Sequence, residues 1–427
     1  MTFQPDPGHP RILFVGWPHS SHTHSWIDLV TDSDFDARLF ALPGTVPPRD
    51  WPVHTYVTKA KYGKREQTWT ALYPRGRVRR TTKWALDHYL RGGTTAVAER
   101  WLAKMIQAWK PDIVHTLGLD PAGFFYLRAR ERFGLAGIGR WVLQLRGGSD
   151  LTLSRLDPNV TPAISAALKA CDQLVSDNPV NYEYAFELGL REEQVATLGT
   201  VPGTGGVSVD ELRARSLGRP SERRLVVWPK AYDGQWSLAL PVLEALRLVW
   251  DEIQPCEVHL LAITPETHQW FRTLPETIKA RCHTEPRLPR ERALELTEKA
   301  RVMLAPSLID GTPNTLFEAM ATGAFPIVSP LETIRPLVKN GENVLFARNL
   351  YPEEIARALH RAMVDDELVD TAARRNLELV RRLADRREIR NRVLAFYEDL
   401  VPRTGFAARQ AVARATVAPA ARTPSED

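Results

Sequence analysis

Residues 303–329 read MLAPSLIDGTPNTLFEAMATGAFPIVS. The apolar run Val302-Met303-Leu304-Ala305, stopped by Pro306, predicts a buried strand, and Phe325-Pro326-Ile327-Val328 predicts a second. Between them, Thr315 to Thr322 are helix formers, with Gly323 as a C-terminal stop. The loop Asp310-Gly311-Thr312-Pro313-Asn314 therefore sits at the mouth of a helix. The first backbone N–H groups of a helix have no helical partner and can face an anion. Gly311 lets the backbone approach a ligand, and Pro313 stiffens the loop. Glu318 lies eight positions after Asp310, so both acids can reach one cleft. Two acids near a helix start also have a plainer use, dipole stabilisation worth ~0.3–1 kcal/mol each.

Outward from this stretch, strands and helices alternate in two halves. In the first half the chain offers strands at Arg11 to Val15, closed by Gly16, at Asp112 to His115, at Arg140 to Leu145 and at Ala170 to Ser176. An amphipathic helix is predicted over Thr95–Trp109. The second half starts at Leu225-Val226-Val227-Trp228 and continues through a helix from Ser237 to Trp250 and a strand from Val258 to Ile263. Beyond the opening stretch come a strand at Asn343 to Phe346 and a helix from Pro352 to Val364. Such alternation predicts an α/β protein with two doubly wound parallel sheets facing a cleft. The glycine- and proline-rich segments Val201 to Gly206 and Gly218 to Glu222 mark a linker.

The pattern Asp310, Glu318, Ala319-Met320-Ala321 and Gly323 resembles the acidic motif of retaining glycosyltransferases of the GT-B fold, family 4. The family's form is Glu, seven residues, Glu, then Ala-Met-Ala and Gly, and Asp310-Gly311-Thr312-Pro313-Asn314 is similar to a bacterial subset of it. The resemblance implies a metal-independent hexosyltransferase that moves a sugar, with retention, from a UDP- or GDP-linked donor. The acceptor class would be a glycan, a lipid-linked molecule or a small molecule. It also implies that Asp310 touches the donor sugar and that Glu318 holds the ribose, with Gly311, Thr312, Pro313, Asn314 and Thr315 around the nucleotide. His115 matches the family's Asp-x-x-His segment and is a candidate catalytic residue. Lys230 stands where the family has an Arg, and Gln235 where it has a Lys. Arg146, in Arg146-Gly147-Gly148-Ser149-Asp150, replaces a histidine. Gly16, Arg146, Gly147 and Gln235 complete the expected donor site, and Lys230 joins Asp310 and His115 as catalytic. No metal ligand and no cofactor beyond the nucleotide-sugar substrate is expected. The departures at Arg146 and Gln235 keep open a catalytically silent GT-B protein that binds a nucleotide or glycan. A dehydrogenase is disfavoured because no Gly-x-Gly-x-x-Gly follows the first strand.

By the same resemblance, residues 1–200 form an acceptor-side domain, 201–222 the linker and 223–385 the nucleotide-sugar domain. Residues 386–401 form a helix returning to the first domain, and 402–427, rich in Ala, Arg, Thr and Pro, a disordered tail. The length of 427 residues supports two substantial cores, and 44% hydrophobic with 25% charged residues is a globular balance. Apolar runs fall short of the ~20 residues that cross a bilayer. The N-terminus lacks a signal-peptide core, and Cys171, Cys256 and Cys282 form no framework, so a cytoplasmic setting is expected. His19, His22 and His24 are either polar lining of the cleft or, less in keeping with their surroundings, metal ligands. Lys59 to Lys83 interleaves cations with Tyr62, Trp69, Tyr73 and Trp84. That composition suits peripheral contact with an anionic membrane at its inner face, or a solvated surface, and nucleic acid is disfavoured.

Overall fold

The computed structural model describes residues 9–48, 50–59, 68–73, 92–215 and 218–401, with single positions at 82, 85, 86 and 89. Most of the basic segment at 59–83 and the whole tail at 402–427 lie outside the described residues.

Near-continuous apolar runs become strands buried on both faces, as parallel sheets require. The first sheet contains β1 (Arg11–Gly16), β2 (Asp36–Ala41), β3 (His54–Lys59), β4 (Trp69–Tyr73), β5 (Ile113–Leu117), β6 (Arg140–Leu145), β7 (Gln173–Ser176) and β8 (Val195–Thr200). Its order is β4-β3-β2-β1-β5-β6-β7-β8, all parallel. The second contains β9 (Leu225–Trp228), β10 (Glu257–Leu261), β11 (Cys282–Glu285), β12 (Ala300–Ala305), β13 (Phe325–Val328) and β14 (Leu345–Phe346). Its order is β11-β10-β9-β12-β13-β14, again all parallel. Both are therefore doubly wound. The order reverses between β1 and β5 in one sheet and between β9 and β12 in the other, and such reversals open a crevice at the carboxyl ends of the strands.

Alternation along β1 shows how the first sheet is covered. Leu13 and Val15 join Leu102 and Ile106 of the helix Gly93–Trp109 on one face. Ile12 and Phe14 join Val393 and Tyr397 of the helix Arg386–Leu400 on the other. The last described helix thus closes the core of the first sheet. Two helices meet near the end of the described chain. The first, Asp366–Ala384, stops at Asp385, whose side chain accepts hydrogen bonds from the N–H groups of Arg387 and Glu388 and so caps the second. The expected linker is likewise more than a loop. It holds a helix, Val209–Arg215, and Val207 pairs with the break at Asp385. Val207 N–H donates to Ala384 C=O at 2.8 Å, and Arg386 N–H to Val207 C=O at 3.0 Å, so the two crossings between sheets run side by side. Among the described residues no helix is long and apolar enough to cross a membrane.

Candidate functional site

A cavity of about 370 Å³ lies where the two crevices meet, a size typical of small-ligand sites. Trp17 after β1, Gly118 after β5 and Arg146, Gly147 and Asp150 after β6 form one wall. Lys230 after β9 and Asp310 to Thr315 after β12 contribute to the other.

The second wall is the quoted stretch. The helix runs Asn314–Thr322 and ends on Gly323, whose φ of 85° is the left-handed turn that glycine adopts readily. At its start no side chain caps the helix. The hydroxyls of Thr312 and Thr315 are buried and have no hydrogen-bond partner among the described residues. Both residues line the cavity. Lys230 Nζ pairs with Asp310 Oδ2, and Asp310 Oδ1 accepts the N–H of Gly311 at 3.0 Å. Enclosure is the largest single influence and works against the lysine's charge, but Asp310 and Tyr232 together outweigh it, and the net effect raises the Lys230 pKa. Burial raises the pKa of Glu318, while Arg290 and Asn314 oppose it. Its Oε1 accepts from Arg290 Nη2 at 2.7 Å and from Asn314 Nδ2 at 3.0 Å. Asn314 in turn accepts from Thr204 Oγ1 at 2.6 Å, tying the crossing segment to the helix acid.

The first wall is braced from within. Asp150 Oδ2 accepts the N–H groups of Arg146 at 2.8 Å and Leu119 at 3.2 Å. Asp177 Oδ2 accepts the N–H of Gly147 at 2.8 Å. Burial pushes Asp150 up to about 7 and Asp177 up to about 6. Arg146 donates from Nε and Nη2 to Gln144 Oε1 at 2.9 and 2.7 Å. Its pKa falls to about 10, chiefly through burial, so it stays charged at neutral pH. His22 reaches the cavity from the first wall as an exposed residue, with protein atoms of the cleft crowded around its ring. That enclosure, with Arg146 and Lys230 nearby, lowers its pKa to about 4. Arg287 adds to the same effect and so also stands near the cleft.

The walls touch through glycines. A Cβ on Gly311 would lie 2.5 Å from Gly147 Cα, and one on Gly148 would lie 2.8 Å from the Asp310 carbonyl oxygen. Gly148 and Gly311 therefore leave no room for a side chain where the two domains approach, whereas Gly147 serves the turn, at a φ of 67°.

Of the sequence candidates, Asp310, Lys230, Thr312, Pro313, Asn314, Thr315, Arg146 and Gly147 line this cavity. Gly311 makes the glycine contact beside it, and Gly16 packs against Leu117 at the end of β1. Glu318 lies one turn behind, its Oε2 without a protein hydrogen bond. Two assignments need correction. His115 is fully buried among Phe14, Trp26 and Tyr397, with Nδ1 2.6 Å from the Tyr397 hydroxyl. It points into the core because the returning helix seals that face, and burial holds it well below its usual pKa and neutral. Gln235 is exposed in the turn closed by the Gly234–Ser237 bridge and does not line the cavity. His24 does not line the cavity either. It stacks on Trp51 and its Nε2 lies 2.7 Å from the Pro18 carbonyl. Sequence reasoning missed Asp177, Asp120, Trp17 and Thr204 as cavity residues. Asp177 follows β7 directly, and that position was the available signal.

Residues 237–365 match the family model described as glycosyl transferases group 1. No curated protein matches the chain in sequence. The chain is similar in structure to HepE from Anabaena in complex with UDP-glucose, with a TM-score of 0.65 and 13% identity over 92% of this chain and 100% of that one. It is similar to sucrose-phosphate synthase from Thermosynechococcus elongatus, with a TM-score of 0.65 and 15% identity over 94% and 100%. It is also similar to the E. coli trehalose-6-phosphate structure bound with UDP-2-fluoro glucose, with a TM-score of 0.61 and 12% identity over 91% and 98%. Two doubly wound parallel sheets of eight and six strands, meeting at their reversal points, make this a GT-B fold.

Proposed function

We propose that the protein is a glycosyltransferase that takes a sugar from a UDP-linked donor, with the diphosphate at the start of the helix Asn314–Thr322. The observation that carries this reading is the uncapped helix start with two buried, unpartnered hydroxyls, Thr312 and Thr315, on the cavity that Lys230 also lines. Buried hydroxyls without partners are costly, and phosphate oxygens would satisfy them. The match over residues 237–365 supports the reaction class, and UDP-sugars are the ligands named for two of the similar structures. Retention of configuration, independence from metal and membership of family 4 rest on the motif resemblance and belong to the proposal. So do the cytoplasmic setting, peripheral membrane contact through 59–83 and an acceptor that is a glycan, lipid-linked or a small molecule.

In this mechanism the leaving diphosphate gathers charge as the glycosidic bond breaks. The helix start, Thr312 and Thr315 donate to it, and Lys230 supplies a positive charge. Lys230 is paired with Asp310, and donor binding exchanges that partner for phosphate and frees Asp310 for the sugar hydroxyls. Removing one such preorganised donor typically costs ~3 kcal/mol of barrier. In this reading Glu318 takes a ribose hydroxyl with Oε2. Arg146 and Arg287 bring further positive charge to the cleft.

A second reading, a binder without turnover, draws on the exposure of Gln235, which leaves the usual second cation position outside the cavity. Incubation with UDP-sugars separates the two. Release of UDP, with sugar passed to water or an added acceptor, supports the enzyme. Saturable UDP binding without any UDP release from its sugars supports the binder.

A further inference from the structure

At the far edge of the second sheet, on strands that do not carry the cleft loops, two imidazoles and a carboxylate converge. His259 on β10 and His283 on the edge strand β11 are register partners. Their ring centroids are 4.5 Å apart and their planes differ by 29°. Glu257 stands two residues before His259, hence on the same face of the sheet. Ligand atoms of the three side chains all lie within 4.8 Å of one another. Val258, Leu260 and Cys282 point to the opposite face and are buried in the core. The helix Arg290–Lys299 packs Leu294 and Leu296 with Val227, Leu261 and Met303. At Glu257, His259 and His283 this face is open instead: Glu257 and His283 are exposed and His259 is half-buried.

The ordinary explanation of polar residues here is protection of a sheet edge from pairing with another chain. That explanation asks for one long cation or a proline, not for two facing rings. It also leaves His259 Nδ1 buried without a hydrogen-bond partner. Glu257 has only a long contact to Arg281, at 3.8 Å. Neutral imidazole nitrogens with a carboxylate oxygen are a donor set for Zn²⁺ and its first-row neighbours.

We propose that Glu257, His259 and His283 form a divalent metal site of the Zn²⁺ class, which staples the edge strand β11 to β10. Metal–ligand bonds of about 2.0–2.2 Å need the donors somewhat closer than they stand. The exposed side chains of Glu257 and His283 have room to swing in. Three protein ligands leave a fourth position for water. The proposed role is structural and is independent of the reaction in the cleft.

The test is calorimetric titration of the metal-stripped full-length protein with Zn²⁺ near pH 7, with Co²⁺ absorption as a report on coordination. One ion per chain is expected, with a rise in Tm. His283→Asn should weaken binding roughly tenfold or more, and His259→Asn/His283→Asn should abolish both binding and the rise in Tm. The metal-free Tm of the exposed His283→Asn variant should stay near that of the parent, which separates ligation from folding. His19→Asn/His24→Asn, on the other domain, should bind as the parent does. Binding should weaken as pH falls through the histidine range around 6.5. Absence of stoichiometric binding, binding unchanged in His283→Asn, or binding lost with the His19/His24 pair would each overturn the site.

Discussion

The loops after β6 and β12 face each other across one cavity, yet they treat their polar groups in opposite ways. On the β6 side the carboxylates of Asp150, after β6, and Asp177, after β7, are occupied by backbone N–H groups, and Arg146 is held by Gln144. In the β12 loop a helix start is uncapped and the Thr312 and Thr315 hydroxyls are unpartnered. One loop is a braced frame. The other holds polar groups in reserve, and buried polar groups without partners persist where a ligand completes them. The difference teaches which wall receives the donor and which one shapes the space around it.

The contrast breaks most sharply at Lys230. Lys230→Ala should reduce transfer by at least the ~3 kcal/mol typical of a lost charge-stabilising donor, and should weaken UDP while sparing uridine. Arg146→Ala, on the braced wall, should weaken UDP far less. Equal losses in the two variants, read by calorimetry, would erase the distinction between walls.

Next comes Glu318. Loss of a charge-assisted hydrogen bond should cost ~1.5–3 kcal/mol, so Glu318→Gln should weaken UDP, uridine and UDP-sugar alike. Asp310→Asn should instead spare UDP and impair sugar transfer. If Glu318→Gln binds uridine as the parent does, the ribose contact is elsewhere.

A smaller effect is expected where the walls touch. In Gly311→Ala the new methyl meets Gly147 Cα and the Asp177 carboxylate, and overpacking of this kind costs ~1–3 kcal/mol. The strain falls only on the approached state of the domains. The apparent kcat should therefore fall while the Tm changes little. A large drop in Tm with normal turnover would mean that the contact is part of the fold rather than of the working site.

How much of this was legible in the sequence depended on whether a residue's role is local. The helix start at Asn314, its stop at Gly323 and the strands around them follow from nearby residues, and the structure has them there. Facing direction was not legible. His115 ends an apolar run and reads as a cleft residue, but Tyr397, 282 positions away, closes over it. The resemblance had a helix begin at 386, and Asp385, which accepts from the N–H groups of Arg387 and Glu388, is the local signal for a start there. For Asp177 the position directly after β7 was legible, but its hydrogen bond to Gly147, on the loop after β6, was not. Gln235 failed for a related reason: equal spacing along the chain does not fix which way a turn projects.

The braced wall also makes a pH prediction, the smallest of the set. Burial raises Asp150 from 3.8 to about 7 and Asp177 from 3.8 to about 6. The folded state then holds more protons than the unfolded one between those values. Their contribution to stability is thus full below about 4 and is lost as pH rises toward about 7. His22 and His54, lowered to about 4, act in the opposite direction over part of that range. The informative quantity is consequently the difference between parent and Asp150→Asn. Denaturant melts from pH 4 to 7 should show the variant losing less stability with rising pH than the parent. Parallel curves would return Asp150 to an ordinary ionised carboxylate.

The central claim is that the β12 wall, not the β6 wall, holds the donor diphosphate. A crystal structure of the protein soaked with UDP tests it directly, because the two phosphorus atoms can be located without reference to activity. The account predicts both phosphates at the start of the helix Asn314–Thr322, hydrogen-bonded to Thr312 or Thr315, with Lys230 turned from Asp310 onto a phosphate oxygen. Phosphates seated on the loop from Arg146 to Asp150, with Lys230 still paired to Asp310, would contradict it.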